Sequence, residues 1–76
     1  MYKLDERINI KLRFLDHDEY GAKIYEDCFG TKFIWYSKST KLENKDWFEV
    51  RTKLYVGLNE NGDVEHYTLF NPREVK

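Results

Sequence analysis

Lys32, Tyr36 and Lys38 share one face of a short aromatic run, Gly30-Thr31-Lys32-Phe33-Ile34-Trp35-Tyr36-Ser37-Lys38-Ser39. Rings stack on nucleobases and ammonium groups neutralise phosphates, so this is the composition of a surface that holds a single strand. Neighbouring residues of a strand face opposite sides, and four bulky residues in a row cannot all be buried. Lys32, Ile34, Tyr36 and Lys38 fall on one side, with lysines at both ends that turn it toward solvent. Phe33 and Trp35 fall on the other and are the better core candidates. The plainer reading of the same residues is that the rings complete a small core and the lysines keep its edges soluble.

Other chemistry finds little support. Asp16-His17-Asp18-Glu19 has permissive metal-ligand spacing, but a structural zinc site wants four Cys or His ligands, and this loop reads as a solvated acidic turn. Cys28 has no neighbouring histidine or basic cluster to make it a nucleophile. His66 sits between Glu65 and Tyr67 on an alternating strand, the setting of a surface or partly buried histidine. Asp5-Glu6 and Glu26-Asp27 are sequence neighbours, which point opposite ways on a strand and cannot work as a catalytic pair. Phosphate-loop, hydrolase-elbow and zinc-protease motifs are absent from the sequence. A non-enzymatic protein is expected, with no catalytic residue, no metal and no cofactor.

Seventy-six residues are expected to form a single domain spanning 1–76, with 1–7 as a flexible or edge segment. A chain this short buries only roughly 60% of its unfolded surface. Two Trp, six Tyr and five Phe compensate, since each large ring buries on the order of 150–250 Å². The single cysteine precludes an internal disulfide, and the N-terminal residues lack an apolar stretch, so a soluble cytoplasmic protein with no membrane partner is expected. Net charge is −1, yet residues 31–53 carry Lys32, Lys38, Lys41, Lys45, Arg51 and Lys53 against Glu43, Asp46 and Glu49. A local basic patch thus sits on an otherwise acidic chain.

The elements that would position these groups are short strands. Ile8 to Phe14 alternates strictly, with Ile8, Ile10, Leu12 and Phe14 on one face, and residues 16–21 read as a loop. Ala22 to Asp27 alternates more weakly, and Gly30 can supply positive φ for the turn into the third strand. Trp47 to Leu58 is the longest run, with Phe48, Val50, Thr52, Leu54, Val56 and Leu58 on one side. Asn59-Glu60-Asn61-Gly62 predicts a hairpin with positive φ at both central residues. Val64 to Phe70 returns as a fifth strand, which Pro72 limits, and Arg73 to Lys76 adds an edge piece. Five strands joined mainly by hairpins, with little or no helix, predict an all-β barrel, closed or partly open.

Glu26-Asp27 followed by Gly30-Thr31-Lys32-Phe33-Ile34-Trp35-Tyr36-Ser37-Lys38, with Leu69-Phe70-Asn71-Pro72-Arg73-Glu74-Val75 at the close, resembles small oligonucleotide/oligosaccharide-binding (OB) domains of phages and bacteria. The resemblance spans most of residues 8–76, though its specific core is about ten residues. The chain departs from that pattern in a shortened first hairpin around Tyr20-Gly21-Ala22 and in the acidic Glu60 and Asp63 of its last turn. The resemblance implies a five-stranded OB-type barrel with its ligand across the second and third strands. That assigns Lys23, Tyr25, Lys32, Tyr36, Lys38 and Lys41 to a nucleic-acid-binding face, with Ile34 between them and Lys45 nearby. The implied function is single-stranded nucleic-acid binding by a phage-encoded protein in the host cytoplasm, acting as a homo-oligomer or beside a replication or host protein. The alternative is a protein-interaction module, such as a phage inhibitor of a host factor, which the net charge of −1 favours.

Overall fold

The computed structural model describes residues 2–37, 42 and 45–75. Five strands, β1 (Ile8–His17), β2 (Lys23–Glu26), β3 (Lys32–Trp35), β4 (Phe48–Leu58) and β5 (Val64–Glu74), close into a barrel in the order β1-β2-β3-β5-β4. No helix occurs among the described residues. Neighbours are antiparallel except β3 and β5, which run parallel and meet only at Phe33↔Tyr67 and Ile34↔Thr68.

Alternation builds the interior as expected for β1, β3 and β4. Ile10, Leu12, Phe33, Val50, Thr52 and Leu54 are buried, and Phe33 stacks on Tyr67 with ring centroids 5.4 Å apart. Tyr2, ahead of β1, lays its ring edge-on to both Phe33 and Tyr67, so the segment before the first strand covers one mouth of the barrel. Burial first, and then the bond it donates to Asp27, push the Tyr2 phenol well above its ordinary range.

Strand limits differ from the expectation in instructive ways. β1 runs on to His17, because a bulge between Phe14 and Asp16 resets the register and lets Asp16 and His17 pair with Ile24 and Lys23. β3 stops at Trp35 rather than continuing through Ser37. Pro72 does not end β5. Arg51 pairs with Arg73 and Lys53 with Phe70, so two residues, Asn71 and Pro72, face Thr52 alone. Proline's missing N–H is harmless in that bulge, and Asn71 takes the positive φ of 48° that asparagine tolerates. The Thr52 hydroxyl receives the Phe70 N–H at 3.2 Å.

The last hairpin is not the two-residue turn that Asn61-Gly62 suggests, since positive φ occurs at Gly62 but not at Asn61. Asn59 organises a longer loop, accepting the N–H groups of Asn61 and Asp63 on its side-chain oxygen, while Gly62 donates to its carbonyl. The same design recurs at Asp18 with Gly21 and at Asp27 with Gly30. Each loop therefore reads Asx-x-x-Gly, the Asx side chain satisfying two turn N–H groups and the glycine adopting φ between 82° and 85°. Asp27 differs in being buried and in also accepting the Tyr2 hydroxyl.

Asp18→Ala and Asn59→Ala are expected to cost about 1 kcal/mol each, and Asp27→Ala about 2–4 kcal/mol because buried donors lose their acceptor. Denaturant unfolding of the three variants tests the ranking, and equal losses would mean that the Tyr2 link adds nothing.

Candidate nucleic-acid interface

The outward faces of β1, β2 and β3 meet in a charged row. Arg13 pairs with Glu26 and Glu26 with Lys32 in the strand register. Arg13 Nε donates to Glu26 Oε1 at 2.7 Å, and Lys32 Nζ reaches Oε2 at 3.2 Å. The Arg13 hydrogen bonds first, and Lys32 second, hold the Glu26 carboxyl below its ordinary value of 4.5. Lys32 is thus outward as expected, but its charge already faces a carboxylate. The next row outward is apolar, Ile24 beside Ile34.

Two of the assigned residues are not on this face. Tyr25 is 0% exposed, packed edge-on against Phe14 and Phe48 at the centre of the barrel, and cannot stack on a ligand. Lys23 is 1% exposed, its ammonium 2.7 Å from the Ser37 carbonyl and 5.3 Å from the centroid of Trp35. The reason is parity: Lys23 and Tyr25 share the side of β2 that faces Trp35 and Phe33, and the barrel needs the Tyr25 ring inside. Lys23 follows by running its apolar stem through the interior to a carbonyl and a ring face at the rim. Lys38 and Lys41 lie outside the described residues. Lys45 is bonded to both carboxylate oxygens of Glu74, at 2.7 and 2.8 Å.

Tyr36 is exposed as expected, at 64%, but it lies just past the end of β3 rather than on the β2–β3 face. It lines a groove of about 580 Å³ together with Ser37, Thr68, Phe70, Pro72 and Arg73. The groove exists because β3 ends where β5 continues, and no carboxylate lines it among the described residues. Around its β5 wall, the outward residues of β4 and β5 mix rings and cations. Lys53 stands opposite Phe70, Arg51 opposite Arg73, and Tyr55 lies edge-on to Phe70 at 5.5 Å. Among the described residues none of Arg51, Lys53 and Arg73 is in an ion pair, whereas Lys3, Arg13, Lys32 and Lys45 are. The alternation of Arg51, Lys53 and Tyr55 was visible in the sequence, but nothing in it showed that Phe70 and Arg73 would join them.

A second groove, of about 600 Å³, lies at the opposite mouth among Tyr2, Asp27, Phe29, Thr31, Val64 and Tyr67. Its carboxylate, Asp27, already accepts hydrogen bonds from Phe29, Thr31 and Tyr2. No group of three or more His, Cys, Asp or Glu among the described residues is placed to hold a metal ion. No protein-family model, no curated protein and no solved structure matches this chain.

The depressed Glu26 value sets a pH dependence. A carboxylate whose folded pKa lies below its unfolded one stabilises the fold fully above the unfolded value, near 4.5, and that contribution is lost as pH falls through the folded value. Acid titrations of stability should therefore show wild type losing its advantage over Glu26→Gln as pH drops below that range. A constant difference between the two across acid pH would contradict the pairing.

Proposed function

We propose that this chain is a non-catalytic binding protein with an OB-type barrel, and that it holds a single-stranded nucleic acid in the groove between the end of β3 and the second half of β5. The observation that carries the reading is the meeting of exposed Tyr36 and Phe70 across a groove that also holds Arg73 and, among the described residues, has no carboxylate in its lining. Stacking on a ring is indifferent to base identity, and a cation beside it neutralises the backbone, which together hold a strand without reading its sequence. The strand order β1-β2-β3-β5-β4 supports the OB-type assignment, because β3 and β5 are then the parallel pair that completes a five-stranded barrel. The ligand path differs from the one across β2 and β3. There the cations Arg13 and Lys32 are both paired with Glu26, and Lys23 and Tyr25 are inside.

A second reading is supported by the backbone. β5 continues to Glu74 beyond Thr68, where its pairing with β3 ends, so its edge in the groove is suited to an added strand from a protein partner. Such a complex would bury backbone hydrogen bonds and depend little on ionic strength. A nucleic-acid complex weakens steeply as salt rises.

Fluorescence anisotropy with a labelled single strand of about 20 nucleotides, across a salt series, separates the two. Tyr36→Ala and Phe70→Ala are each expected to weaken binding by about 1–3 kcal/mol, and Tyr25→Phe to leave it unchanged. Lys32→Ala should have little effect, because its ammonium already faces Glu26. No binding by wild type at low salt would sink the nucleic-acid reading; unchanged affinity in both ring variants would move the site elsewhere.

A further inference from the structure

Arg51 and Arg73 are direct cross-strand partners on the outside of the barrel, and both are exposed. Like charges placed opposite one another in an antiparallel pair repel, so the sheet gains nothing from this arrangement. The β5 bulge creates it. Phe70 faces outward, and in an unbulged strand simple alternation would send residue 73 inward, against the interior beside Val50. The extra residue at Asn71–Pro72 reverses the parity and brings Arg73 out, opposite Arg51 and on the same face as Phe70, whose partner Lys53 is two positions along β4. The bulge is itself tied down, since Arg7 donates to the Asn71 carbonyl at 3.1 Å.

Arg51 is pre-positioned. One of its guanidinium nitrogens donates to Asn9 Oδ1 at 2.9 Å, and the Asn9 amide donates in turn to Glu49 Oε2 at 3.0 Å. That leaves Arg51 most of its five N–H donors, and among the described residues no ion pair engages Arg73. Two guanidinium forks on Cα atoms about 4.5–5.5 Å apart suit a single tetrahedral anion that takes hydrogen bonds from both.

We infer that Arg51 and Arg73 form a phosphate clamp at the end of the groove, taking one phosphodiester of a strand whose adjoining base lies on Phe70. The clamp rests on the reading of the groove as a nucleic-acid site, and it adds the residues that hold the backbone and the place where the strand leaves the groove for the outer face of β4. Because both arginines serve one phosphate, their contributions are not independent. Removing both should cost about 0.7 in the slope of log affinity against log salt, and removing either alone less than that, because the remaining guanidinium still faces the phosphate.

The test has two arms. In the first, inorganic phosphate is titrated into the protein while the arginine Nε–H signals are followed by NMR. Arg51 and Arg73 should shift together with one dissociation constant, and Arg51→Gln should weaken the response at Arg73 several-fold. In the second, the labelled single strand is titrated across salt with Arg51→Gln, Arg73→Gln and the double variant, and thermal melting confirms that each is folded. Arg73→Lys should keep the slope but lose several-fold in affinity, since it retains the charge without the fork. Unmoved guanidinium signals, or a double variant that loses about 1.4 in slope, would overturn the clamp. A strand that binds wild type with a slope indifferent to both arginines would overturn the clamp and leave the groove reading standing. Phosphate that shifts both arginines while no strand binds would support the clamp and overturn the nucleic-acid reading.

Discussion

Closure of this barrel depends on one short parallel contact, the pairing of Phe33 with Tyr67 and of Ile34 with Thr68. Two rungs of parallel ladder are a weak seam by themselves. The stacked rings of Phe33 and Tyr67 reinforce it from within, with Tyr2 edge-on to both. Burying three rings against one another gives this junction an apolar contribution that its few hydrogen bonds do not supply. The same brevity has a second consequence: because β3 leaves β5 after Ile34, the remainder of β5 forms one wall of a groove. The contact that closes the barrel is therefore also where it opens to solvent.

Charge sorts the outer surface around that seam. Arg13, Glu26 and Lys32 form a cross-strand row in which opposite charges alternate, an arrangement that stabilises a sheet modestly and in which both cations already share one carboxylate. On β4 and β5 the neighbours are Arg51, Arg73 and Lys53, with rings between them. These two faces have similar compositions but opposite physical characters. A count of basic residues in residues 31–53 could not separate them, since Lys32 and Lys45 form ion pairs with carboxylates and Arg51 and Lys53 form none among the described residues. Net charge was no better guide, because the decision lies in which residue the register places opposite which.

Much of the fold was legible because alternation is a local property. Phe33 and Trp35 turn toward the interior, with Lys32 and Tyr36 outside, and the inward set of β4 holds from Phe48 to Leu54. β2 was harder: Lys23 and Tyr25 share one side, Ile24 and Glu26 the other, and each set contains one apolar and one charged residue. Only the need to fill the barrel with Tyr25 decides it, and that is a tertiary constraint. The turns carried a signal that spacing could have revealed, Asx-x-x-Gly at Asp18, Asp27 and Asn59. Reading Asn61-Gly62 as a two-residue turn missed it, because the controlling side chain stands two positions before Asn61.

The candidate site was less legible for a different reason. Strand alternation predicts the direction of a residue only while the register is unbroken, and the residues that matter most lie beyond a break. Asn71 and Pro72 look like the end of a strand, one favouring turns and the other lacking an N–H. In the barrel they are instead the step that continues it, with Val75 still donating to the Glu49 carbonyl. A bulge of this kind disrupts the ladder locally and here places two arginines side by side, both unfavourable for the sheet alone. The coincidence of the bulge and the arginine pair at the end of a groove lined by Tyr36 and Phe70 is the physical ground for proposing a ligand there rather than on the face of β2 and β3.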